Sequence, residues 1–181
     1  MNAFSVGANG SVRAQFGDFE TELLCDLASQ VGDLLGESVQ SPDDHLLAIV
    51  GIGGGDSLPA DPAVARLLPD AYADDAEAST EFRRLTEHSL ADRKIANARL
   101  VITGLLAAQG AEFELDAEAQ QAWIRTMTDI RLVLAARLGI ETDDDALVSG
   151  GRSDSEEARW MRDVYDWLAA VQTTLLEAME P

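Results

Sequence analysis

The stretch Gly51-Ile52-Gly53-Gly54-Gly55-Asp56-Ser57 is the part of the chain that looks most like a phosphate cradle. A dinucleotide fingerprint needs glycine where Asp56 stands, and a phosphate-binding loop needs a Lys-Ser or Lys-Thr pair that does not follow. A carboxylate at that point also repels phosphate, so the segment reads as a connector. His45 and His88 are the only histidines and lack metal-ligand spacing. Asp43-Asp44-His45 suits the first turn of a helix, where acidic residues meet the positive end of the dipole. Asp143, Asp144 and Asp145 depart from a calcium loop, because Leu147 and Val148 stand where its pattern ends. No Ser/His/Asp or Cys/His signature is present in the sequence. These residues predict no catalytic group, no metal and no cofactor, and so give little reason to expect an enzyme.

The positive charges are the next candidates. Residues 81–99 gather Arg83, Arg84, Arg93, Lys94 and Arg99 in a chain with only 13 Lys and Arg and a formal net charge of −20. At about 100° per residue these side chains do not form one stripe, so no nucleic-acid groove is predicted. Arg83, Arg84, Arg93 and Lys94, with Asn97, are candidate contacts for a protein partner, or pair within the chain. Arg131 and Gln172 fall inside apolar arcs of their helices, so each needs a buried polar partner. For Arg131 the expected partner is a carboxylate. An alternative use of Arg131, with nearby carboxylates, is to wall a small polar pocket of a ligand binder or an enzyme. Cys25 lies beside Ser29, Gly32 and Gly36 on a stripe of small residues that would admit a close helix, from this chain or from a second copy. A homodimer through this stripe is the expectation. Glu22 and Asp26 flank the thiol and should raise its pKa.

These residues need elements to hold them, and the pattern is mainly helical. The fold class predicted is a single helical domain over residues 1–181 with a small N-terminal β element in residues 1–17. Asn9-Gly10 is a favoured hairpin turn between strands at Phe4–Val6 and Val12–Phe16. A helix follows Asp18, with Phe19, Leu23, Leu24, Leu27, Val31, Leu34 and Leu35 on one face. Asp61-Pro62 reads as a cap and first helical position. A long helical region runs from about residue 74 to 108. The run Ala111–Leu115 is a strand that returns to the hairpin. Asp116 caps a helix that Gly139 stops. Residues 141–155 are an acidic linker before a last helix from about Glu156 to Met179.

Composition bounds the partners. At 181 residues and 46% hydrophobic content the chain can bury a sizeable core without metal or disulfide. Its negative field opposes direct binding of nucleic acid and of anionic membranes, and favours basic partners. The one cysteine excludes an intrachain disulfide and points to a reducing cytoplasm. No signal peptide or membrane-length apolar run is apparent.

Five ordered motifs carry a family resemblance: "RLLPDAY", "EFRRLTE", "KIANA", "ELDAEAQQAWIRTMTDIRLVLAARLGI" and "YDWLAAVQTTLLEAM". In this order, across residues 16–179, they resemble the actinomycete oxidative-stress-responsive regulator, or AosR, family, formerly a domain of unknown function. Arg83, Arg84, Lys94, Asn97, Trp123, Asp129, Arg131, Tyr165, Asp166 and Trp167 match its motif positions. The resemblance implies a non-enzymatic regulator acting with the transcription machinery, through a sigma factor or RNA polymerase. A Clp-type proteolysis accessory is the alternative within the family's setting. A thiol switch within one chain would need a second cysteine, which this sequence lacks.

Overall fold

A computed structural model of the chain describes residues 3–7, 10–39, 61–69, 76–141 and 155–180, with the side chains of 39 and 76–85 left aside. It is mainly helical with a small antiparallel sheet. The elements are β1 (Phe4–Val6), β2 (Val12–Ala14), α1 (Asp18–Val39), α2 (Pro62–Leu67), α3 (Ala76–Ala108), β3 (Phe113–Leu115), α4 (Ala117–Leu138) and α5 (Glu156–Met179).

The sheet order is β1-β2-β3. Phe4 opposes Ala14 and Val6 opposes Val12, while Val12 in turn opposes Leu115. The two-residue side-chain period therefore puts Phe4, Val12, Ala14 and Leu115 on one buried face. On the outer face Arg13 reaches Glu114 at 3.3 Å and Glu112 at 3.2 Å. The predicted second strand ends two residues earlier than expected. Phe16 leaves the ladder and stacks on Trp123 of α4, with ring centroids 5.1 Å apart and planes 3° from parallel. Phe4 meets both rings edge-on, at 5.5 and 5.2 Å, and the three aromatics join the sheet to the helices.

The helix ends follow local chemistry. Gly17 N–H donates to Glu20 Oε2 at 2.8 Å, so Gly17 takes the cap position and Asp18 is already inside α1. Asp61 accepts from Ala63 N–H at 2.8 Å ahead of Pro62, which has no N–H to leave unpaired. The same carboxylate receives both Arg137 nitrogens, at 2.9 and 2.7 Å, and Arg66 donates to the Ile140 carbonyl at 2.6 Å. Together these bonds fasten α2 to the end of α4. Asp116 accepts from Ala119 N–H at 2.8 Å, and Gly139 ends α4 in the left-handed region, at φ 67°. Ser155 caps α5 by accepting from Ala158 N–H.

One hydrophobic cluster draws on every element. It includes Leu24, Leu27, Val31 and Leu35 of α1, Leu67 of α2, Val101 and Leu105 of α3, Met127 and Ile130 of α4, and Leu168 and Leu175 of α5. Helix α4 packs against α2, α3 and α5, and α1 packs most extensively on α3. Phe19 departs from its predicted place in the core. It is 70% exposed, because at about 100° per residue it points about 140° away from Leu24 and so off the buried line of Leu24, Leu27, Ala28, Val31 and Leu35.

Candidate functional site

Helix α4 carries polar side chains on two opposite seams. On the α3 side, Ala122, Thr126, Asp129 and Val133 recur at intervals of three and four and so share a face. Asp129 and Thr126 are buried, at 3% and 2% exposure. Asp129 Oδ1 accepts a short hydrogen bond and ion pair from Lys94 Nζ of α3. Asp129 Oδ2 and Thr126 Oγ1 have no hydrogen-bond partner among the described residues. Burial pushes the Asp129 carboxyl above the usual carboxylate range, outweighing the hydrogen bond and charge of Lys94.

On the α5 side, Arg131 Nη1 donates to Gln172 Oε1 at 2.9 Å, and Nη2 donates to the Tyr165 hydroxyl at 3.3 Å. The guanidinium carbon lies 4.8 Å from the centre of the Tyr165 ring. Gln172 Nε2 donates to Thr128 Oγ1 at 2.9 Å, and Thr128 donates back to the Ile124 carbonyl at 2.8 Å. Arg131 meets Gln172 and Tyr165 in place of the expected carboxylate partner. The seam presents an amide and a phenol, while Asp163 and Asp166 of α5 are exposed. Arg131 Nε is buried without a partner among the described residues.

The candidate partner contacts separate. Lys94 is held in the α3–α4 seam. Arg93 is exposed, its Nε donating to the Ser89 carbonyl of its own helix at 3.3 Å. Asn97 is half-buried. Arg83 and Arg84 lie on α3, but their side chains fall outside the described residues, as do the whole of the glycine segment 51–57, His45 and Asp143–Asp145.

Cys25 is half-buried on a groove of about 480 Å³ between α1 and the end of α3. Asp18, Glu22 and Asp26 line one side, and Leu105 and Leu106 the other. Burial, and then the charge of Asp26, raise the thiol pKa. Gln109 and Gly110 close one end, in consecutive left-handed conformations at φ 50° and 80°. Beyond the groove, Ser29 is exposed. A Cβ added at Gly32 or Gly36 would meet nothing within 4 Å among the described residues, so the small-residue stripe carries no close helix contact within them.

Sequence reasoning paired Arg131 with the wrong chemistry and left Asp129 and Thr126 without a role. Their three-residue spacing inside an apolar arc was the signal for a buried polar pair. Leu106, 60% exposed, stands at the lip of the groove.

Among the described residues no three His, Cys, Asp or Glu side chains are grouped to hold a metal ion, and no helix is long and apolar enough to cross a membrane. A family model described as "Domain of unknown function (DUF2017)" matches residues 1–179. The chain is similar to a Mycobacterium leprae protein named putative oxidative stress regulator AosR, with 31% identity over 188 residues, covering 95% of this chain and 84% of the relative. It is likewise similar to proteins named oxidative stress regulator AosR from Mycobacterium bovis and Mycobacterium tuberculosis, each 31% identical over 180 residues, covering 91% of this chain and 80% of the relative. No solved structure matches the chain.

Proposed function

The chain belongs to the family described as a domain of unknown function, DUF2017, and from that premise we propose that it is a regulator of the oxidative-stress response that works by binding protein partners. The observation that carries this reading is the likeness to relatives named oxidative stress regulator over 91% of the chain or more. Its point of action is the transcription machinery, reached through a sigma factor or RNA polymerase. The protein catalyses no reaction and does not grip DNA itself: a net charge of −20 opposes the polyanion.

The geometry supports a binding role in one respect. Lys94 and Arg131, which could have served an anionic substrate, are engaged in helix–helix seams, whereas the α1–α3 groove lies open at the surface. Cys25 is the single thiol, so any disulfide joins it to another molecule.

Affinity capture of the tagged full chain from reduced and from peroxide-treated cells tests the reading. RNA polymerase or a sigma factor among the specific partners upholds it. Clp protease components instead would make the chain a proteolysis accessory, and a co-purified metabolite would make it a ligand binder.

A further inference from the structure

The α1–α3 groove pairs an apolar wall with a row of uncompensated negative charge. Asp18, Glu22 and Asp26 follow each other at intervals of four, which places one carboxylate per helical turn along the same edge. Among the described residues none of the three has an ion-pair partner, and no Lys, Arg or His lines the groove. Across from them Leu105 is buried and Leu106 presents its side chain to solvent at 60% exposure. The half-buried Cys25 lies between the two walls.

The chemistry of these walls selects the occupant. Phosphates, nucleic acid and anionic lipid are repelled by three carboxylates set in a field of −20. A second copy of this acidic chain meets like charge. A segment that puts Lys or Arg on one flank and an apolar side chain on the other satisfies both walls at once. The carboxylate row from Asp18 to Asp26 spans about 12 Å at 1.5 Å per residue, close to two turns of a facing helix. We propose that this groove is the docking site for a basic, amphipathic helical segment of a protein partner. The proposal rests on the protein-binding reading above and gives the partner's chemistry. Charge speeds and orients the encounter, and burial of Leu106 holds the complex.

Cys25, the only cysteine, is a single-site reporter for the groove. The test follows alkylation of Cys25 in the full chain while a synthetic amphipathic Lys/Leu helix is added. The controls are a scrambled peptide of the same composition and an acidic counterpart. The amphipathic basic peptide should slow alkylation saturably, with protection weakening as salt rises. Glu22→Lys with Asp26→Lys, and separately Leu106→Ser, should each weaken protection about tenfold or more. Asp163→Lys with Glu177→Lys, the same charge change on the exposed side of α5, should leave it nearly unchanged. Equal protection by the scrambled peptide, equal weakening by the α5 pair, or protection that grows with protein concentration alone would overturn the proposal. The last result would put a second copy in the groove. Cellular capture separates the two readings. If Glu22→Lys/Asp26→Lys retains the partners of the unaltered chain, the groove assignment fails and the regulator reading stands. If the unaltered chain captures no transcription component, the regulator reading fails, and the peptide titration still judges the groove.

Discussion

Lys94 of α3 and Asp129 of α4 form an ion pair that satisfies only one carboxylate oxygen, leaving Oδ2 buried beside Thr126 on the same helix face. The pair locks two helices in register, and it does so with an acid that burial discourages from ionising. Removing the cation makes that worse. Lys94→Met should cost about 3–5 kcal/mol, read as a fall in the urea midpoint at neutral pH.

The same pair sets a pH dependence whose sign follows from the raised Asp129 pKa. The folded state holds this proton more tightly than the unfolded chain does. Stability contributed by the group is therefore full below the ordinary carboxylate range and is lost as pH rises through the raised folded value, then levels off. Asp129→Asn should abolish this falling leg, and Lys94→Met should extend it to higher pH. Urea midpoints across a pH series of the three proteins measure it.

Arg131 and Gln172 should be energetically coupled. A double-mutant cycle with Arg131→Met and Gln172→Leu should give a coupling of about 1.5 kcal/mol, the low end for a hydrogen bond made by a charged donor because the pair is only half-buried. Zero coupling would show that Tyr165 alone holds the guanidinium.

Gly32 and Gly36 sit inside α1 with open space where a Cβ would stand. Alanine at either position should stabilise the protein by about 0.5–1 kcal/mol, because glycine loses more backbone freedom on helix formation. Thermal melts check this. Sedimentation of the same variants tests the homodimer expected from this stripe. A dimer lost on Gly32→Leu would place the stripe at a subunit contact.

Cys25 should be a slow nucleophile. Burial and then Asp26 disfavour the thiolate, so alkylation should be slower than for a free thiol at pH 7, with its pH midpoint displaced upward. Asp26→Asn should speed it modestly. Cys25→Ser should keep the stress response, and a lost response would make this thiol the switch.

Much of the framework was legible because it is written in short-range chemistry. Asp116 and Gly139 mark both ends of α4, Asp61-Pro62 starts α2, and alternation in residues 113–115 returns a third strand to the hairpin. The seams were not legible to the same degree. Lys94 and Asp129 are 35 positions apart, and nothing local announces that they meet. Periodicity placed Arg131 and Gln172 in buried arcs, yet a helical arc does not say which neighbour faces it, and the anticipated carboxylate proved to be an amide and a phenol. Phe19 shows the opposite failure. It precedes the half-buried Leu23 by one turn, but it points about 140° away from Leu24, off the line that the core buries.

The middle strand of the sheet is residues 12–14, and its second partner arrives only at residues 113–115. A nascent chain leaving the ribosome thus exposes the outer edge of β2 for about a hundred residues of synthesis before the ladder can close. Phe4 and Phe16 wait longer still, for Trp123, and β1 also packs against α5, the last helix among the described residues. Residues 4–16 are thus among the last to find shelter, although they precede every helix. Closure of the sheet should consequently be a late event in translation, and a ribosome-stalled fragment ending before residue 113 should be a client for chaperones rather than carry the native sheet.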